Sequence, residues 1–246
     1  MCAVGSGVEA FWEALCAGRS GLGPIRSFDA SALGPKVAGE VAGLSVRDLV
    51  PKSYRKATKL MARDIELAVA AARAAAIDAG VVTRGLEEEG VTGHKLRGDR
   101  TGCHIGAGLI SADPAELGYA LARSLNERGE FSLRKWGTEG GPDSGAGGAM
   151  NSLPPLWLLK YLPNMLACHV TIIHGCEGPS NTIMGAEAGA LQSIGESVRV
   201  IERGDADVCF TGGAESRLNP MGLVRMVLAG RLAETGADED AAGLVR

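Results

Sequence analysis

The residues from His174 to Gly195, HGCEGPSNTIMGAEAGALQSIG, set an acid at a sharp turn. Ser180 to Met184, with β-branched Thr182 and Ile183, predicts a short buried strand. Gly185 and Ala186 supply the turn, and from Ala188 onward Ile194, Val198 and Ile201 recur on one face of a helix. The side chain offered at this elbow is Glu187. A helix N-terminus has unpaired N–H groups and the positive end of the helix dipole, so it favours negative charge. Enzymes often place a nucleophile at such an elbow. A carboxylate there is a poor acyl acceptor, because its product is a mixed anhydride that water destroys. It also repels a substrate carboxylate, by roughly 4 kcal/mol at about 4 Å and an effective dielectric constant near 20. The bland reading is an acid that simply caps the helix.

Other reactive side chains are sparse. The six cysteines include no CxxC pair, and with no secretory signal they read as reduced cytosolic thiols. Cys176 is nearest to the elbow but sits in GCEGPS, where a turn thiol is more often a bystander than a nucleophile. Cys168 falls in a predicted buried helix and Cys209 in a predicted buried strand, both as core thiols. His169 reads as a hydrogen-bonded core histidine, and His94, His104 and His174 are too scattered for ligand spacing. No metal and no cofactor are implied. IGAGLISAD at 105–113 lacks the third Gly of a dinucleotide loop, GSGVEAF near the start fails likewise, and no GxxxxGK[ST] occurs.

These residues need a scaffold, and the composition is adequate for one. The chain has 246 residues with 46% hydrophobic content, enough for a sizeable core, and 36 glycines suited to tight turns and close helix–sheet packing. A net charge of −4 leaves no basic footprint for nucleic acid. The most apolar region, 153–170, is broken by Pro154, Pro155, Lys160 and Pro163, so it reads as buried core and not as a membrane span. Helices are predicted at Val8 to Ala17, Lys56 to Ala79 (Ala-rich, stopped by Gly80), Pro114 to Glu127 and Ala188 to Glu202. Strands are predicted near Val37 to Val41, at Thr101 to Gly108 and at Val208 to Thr211. Residues 81–98 are charged and without periodicity, an expected exposed loop, and 137–150 is a Gly-rich loop. Strands alternating with helices predict an α/β fold with a mostly parallel sheet between helices.

Several blocks together resemble the β-ketoacyl-acyl-carrier-protein synthases. They are GVEAFWEALCAGRSGLGPIRSFDAS at 7–31, DAG at 78–80, PNMLACHVTII at 163–173, GCEGPS at 175–180, the elbow, and RGDADVCFTGGAES at 203–216. The resemblance implies a thiolase-like fold, acyl carrier protein as a partner, and a dimer formed along the strand before the elbow, Ser180 to Met184. It also places Glu187 at the position of the nucleophilic Cys. Non-elongating members carry Gln there, in a pattern close to GAEAGA at 185–190. His169 would be structural, and TGGAES at 211–216 would pack closely beneath the elbow. Residues 1–246 would form an amino-terminal ketosynthase domain truncated at both ends, without the carboxy-terminal His and Lys residues. The expected function is a non-elongating, chain-length-factor-like partner of an active ketosynthase, as a homodimer or heterodimer in the cytoplasm. Apolar elements near Leu109 to Leu121 and Leu223 to Leu228 are candidates for lining an acyl tunnel. The alternatives are a malonyl-carrier decarboxylase and a truncated inactive relic.

Overall fold

A computed structural model describes residues 1–139 and 147–232. In chain order it contains α1 (Val8–Cys16), β1 (Leu22–Pro24), β2 (Val37–Gly39), α2 (Arg63–Asp78), β3 (Val81–Val82), α3 (Arg84–Glu88) and β4 (His94–Lys95). Then come β5 (Thr101–Ala107), α4 (Pro114–Arg123), α5 (Leu133–Gly137), α6 (Met165–His174), β6 (Ser180–Ile183), α7 (Gly189–Glu202), β7 (Val208–Ala214) and α8 (Pro220–Leu228).

The central sheet has the order β6-β5-β7, all parallel. Cys103 pairs with Ser180 on one side and with Phe210 on the other. Every residue of β5 is buried, as a parallel strand flanked by helices on both faces requires. Alternation along the strand sorts its side chains. Cys103, Ile105 and Ala107 join Ile65, Val69 and Ala72 of α2 and Leu166 and Val170 of α6 in the hydrophobic core. His104 and Gly106 face α7, where His104 Nδ1 lies 3.1 Å from Ser197 Oγ.

Several boundaries differ from expectation for physical reasons. The long helix starts at Arg63 and not Lys56: Ala57–Leu60 is a 3-10 turn, and Met61 is extended and buried. Arg63 fixes the start by donating to the Val41 carbonyl at 2.6 Å. The helix stops as expected, with Gly80 left-handed at φ 66°. Residues 81–98 are not a plain solvated loop. Val81 pairs in parallel with His94, and α3 buries Leu86, tethered where Gly85 lies against the Ile173 carbonyl. The helix after Pro114 ends at Arg123, its start capped by Asp113 Oδ1, which accepts from the Ala115 N–H at 2.8 Å. Within 153–170 the burial is uneven: Leu166, Ala167 and Val170 are core, whereas Leu156 and Leu158 are exposed. The Gly-rich loop at 137–150 lies partly outside the described residues. Among the described residues no helix is long and apolar enough to cross a membrane.

Candidate active site at the strand-to-helix elbow

The elbow forms as its small residues require. β6 ends at Ile183, Ala186–Ala188 makes a 3-10 turn, and α7 begins at Gly189. Ala186 has φ 48°, a left-handed conformation costing an L-residue roughly 1–2 kcal/mol. The strain is held by contact beneath the turn. A Cβ on Gly106 would lie 2.3 Å from the carbonyl carbon of Gly189, so a glycine in β5 lets the helix start this close. Gly213 of β7 is packed likewise against Ala190, as TGGAES was expected to pack.

One feature differs from the sequence expectation and one was left open by it. β6 is a partly exposed edge strand and not a buried one, with Ser180 and Asn181 open to solvent. The apolar face of α7 points away from the sheet: Leu191, Ile194, Val198 and Ile201 are exposed, and Gly189, Ser193, Ser197 and Val200 are buried. Small residues win the sheet-facing side because the backbones approach closely. Ser193 Oγ lies 2.7 Å from the Ala190 carbonyl and 2.8 Å from the Gly212 carbonyl, which satisfies its buried hydroxyl.

Glu187 sits in the turn, before the first residue of α7, and its side chain is 56% exposed. Its Oε1 accepts from Arg217 Nη1 and Nη2 at 3.4 Å and is ion-paired with Arg231. Its own backbone N–H and then the Arg231 guanidinium hold the carboxyl below the usual Glu range, so it is ionised at neutral pH. Arg217 also pairs through Nε with Glu215 Oε1 at 2.9 Å. One residue on, the Ser216 N–H donates to Asp64 Oδ1 at 2.9 Å, tying the start of α2 to the end of β7. Burial pushes the Asp64 carboxyl up, opposed by that hydrogen bond.

A cavity of about 620 Å³ opens beside the elbow. Leu109, Met184, Met226 and Leu228 give it apolar wall, and Glu215, Arg217, Arg225 and Arg231 line it with charge. Leu109 and Leu228 both line this cavity. Leu223 is buried away from the cavity, and Leu121 is not on its wall. The three arginines were missed from sequence. They lie 30 or more residues beyond Glu187, and only the return of the chain after β7 brings Arg217 and Arg231 to it and Arg225 to the cavity.

The thiols and histidines lie elsewhere in function. Burial pushes the Cys176 thiol up to about 12 and raises Cys103 further, so neither offers a thiolate near neutral pH. Cys168 and Cys209 are half-buried, less enclosed than core thiols, and burial raises Cys209 as well. His169 is the expected core histidine, 2.8 Å from the Tyr54 hydroxyl. His174 bonds Thr83 at 2.8 Å and stacks on Phe210. None of these partners is Glu187, and His94 is exposed on β4.

Comparison with known proteins shows the family of the chain. Residues 1–246 match the family described as "Beta-ketoacyl synthase, N-terminal domain". The 3-oxoacyl-[acyl-carrier-protein] synthase 2 of Vibrio cholerae is 29% identical over 220 residues, covering 89% of this chain and 44% of the relative. A β-ketoacyl synthase from Burkholderia phymatum superposes with TM-score 0.66 at 21% identity, over 98% of this chain and 50% of that one. The ishigamide ketosynthase/chain length factor superposes with TM-score 0.64, also at 21% identity, over 96% and 50%. The fold is therefore thiolase-like, in its amino-terminal half, and the chain spans about half the length of the proteins it matches.

Proposed function

Given that the chain belongs to the β-ketoacyl synthase family through the amino-terminal domain, we propose that it is a non-elongating member, a chain-length-factor-like partner of an active ketosynthase in fatty-acid or polyketide assembly. In this reading Glu187 stands where an elongating enzyme presents its nucleophilic cysteine, and residues 1–246 form one ketosynthase domain. The observation that carries the reading is the ion-paired elbow, where Glu187 lies between Arg217 and Arg231. A carboxylate so held stores no acyl chain as a thioester, and the buried thiols of Cys103 and Cys176 give it no substitute nucleophile. The open edge of β6 suits pairing with a second subunit, identical or not, which would bring Glu187 near the neighbour's site. The chain-length-factor neighbour and the carrier-protein substrate named for the Vibrio relative support an acyl carrier protein as the further partner. A cytoplasmic setting follows from the same reading. Malonyl decarboxylation by Glu187 is disfavoured, because it needs a protonated acid and the elbow holds it ionised.

The test is co-purification of the protein with a Cys-containing ketosynthase, together with malonyl-carrier assays on wild type and Glu187→Cys. A stable complex without CO2 release by the chain alone is expected. Release of CO2 from malonyl carrier by wild type, abolished in Glu187→Ala, would replace this reading with the decarboxylase.

A further inference from the structure

The cavity beside Glu187 combines two chemistries that a plain acyl tunnel does not need together. Its walls carry Leu109, Met184, Met226 and Leu228, yet three guanidinium groups and one carboxylate, that of Glu215, also line it, and Glu215 is taken up by Arg217. Arg217 is held between Glu215 and Glu187, and Arg231 is held by Glu187. Arg225 differs. It lies in the last turn of α8, and its Nη1 donates to Ser111 Oγ at 2.9 Å and to the Leu109 carbonyl at 3.3 Å. Among the described residues no carboxylate pairs with it. The cavity therefore presents one cation bound only by neutral acceptors, a second shared with an exposed carboxylate, and apolar surface beside both. A guanidinium binds a carboxylate through two parallel N–H donors, with roughly twice the strength of a neutral hydrogen bond.

We infer that this cavity takes an acyl chain ending in a free carboxylate, the chain lying along Leu109, Met226 and Leu228 and its carboxylate on Arg225 and Arg231. The inference rests on the acyl-cavity reading given above and names the class of acyl group. Glu187 is then the internal competitor: it occupies Arg231 in the empty site and must yield that partner to the ligand. A free phosphate shares the anionic head but not the chain, so the apolar walls distinguish the two.

Binding to the 246-residue protein by calorimetry tests this, with the N-acetylcysteamine thioesters of glutarate and of valerate and with inorganic phosphate. The glutaryl thioester is expected to bind about tenfold more tightly than the valeryl one, the share of one charge-assisted hydrogen bond. Arg225→Leu is expected to remove that preference while leaving valeryl binding intact, and Arg225→Lys to retain part of it. Glu187→Gln is expected to tighten glutaryl binding several-fold and leave valeryl binding unchanged. Equal binding of both thioesters, unaltered by Arg225→Leu, overturns the inference and leaves Arg225 a strap between α8 and the Leu109 loop. Phosphate displacing glutaryl thioester at equal concentration overturns the acyl part and leaves a bare oxyanion site. Failure of both thioesters to bind overturns the acyl-cavity reading itself, a result distinct from the other two.

Discussion

The two faces of the central sheet are packed by opposite rules. On one side α2 and α6 bury branched apolar side chains, with Ile65, Val69, Leu166 and Val170 filling the space against Cys103 and Ile105. On the other, α7 meets β5 and β7 through Gly189, Ser193 and Ser197, and its larger apolar residues look outward. The first face gains stability from area removed from water. The second gains proximity: the helix start is set where Glu187 must be offered, and hydroxyl hydrogen bonds replace apolar burial. A catalytic-type elbow needs its backbone placed close beneath the turn, and bulk would push it away. The outward stripe of α7 is a face that the described residues do not cover.

That contrast can be broken by mutation. The largest effect is expected for Gly106→Ala on the α7 side. The new methyl would press on the backbone of Gly189, which cannot rotate aside, so a loss of about 4 kcal/mol is expected by urea denaturation. A change below about 1 kcal/mol would mean that the helix start can slide and that proximity is not what sets it. Next is Ile65→Ala on the α2 side, a cavity at a fully buried position, expected to cost about 3 kcal/mol.

Acid sharpens the comparison further, because the α2–α6 face holds His169 and His174 in neutral form. Both are lowered to about 4, His169 by burial and His174 by burial with a smaller contribution from Arg73. Between roughly pH 6.5 and 4 the unfolded chain binds protons that these native imidazoles refuse. Stability is therefore present above about pH 6.5 and falls as pH drops through that window, by on the order of 3 kcal/mol per histidine. His174→Gln should flatten the dependence of the urea midpoint on pH, and an unchanged slope would remove His174 from the account. The smallest effect is expected for Ile194→Gln on the outward face of α7. Within the isolated chain it should move the midpoint by less than about 0.5 kcal/mol. A large loss would show that the stripe is already packed in solution.

The sequence alone carried the α/β class, the parallel central strands, the elbow and Glu187 at its tip. Each depends on local pattern: strand β5 and helix α2 follow from short-range periodicity, and Gly185 and Ala186 announce the turn. It also carried the core role of His169. It misjudged residues 81–98, where a run of glutamates hid Leu86, because one buried side chain in five leaves no periodic signal. It left the orientation of α7 open. The hydrophobic stripe was real, but amphipathicity says only that a face wants cover and not which neighbour supplies it. What only the tertiary structure decided is the electrostatics of the elbow. Arg217 and Arg231 reach Glu187 because β7 runs parallel beside β5 and returns the following chain to the same end of the sheet. Charge interactions act through space, so the ionisation of Glu187 and the cavity that Arg225 enters depend on a chain return that no sequence spacing records.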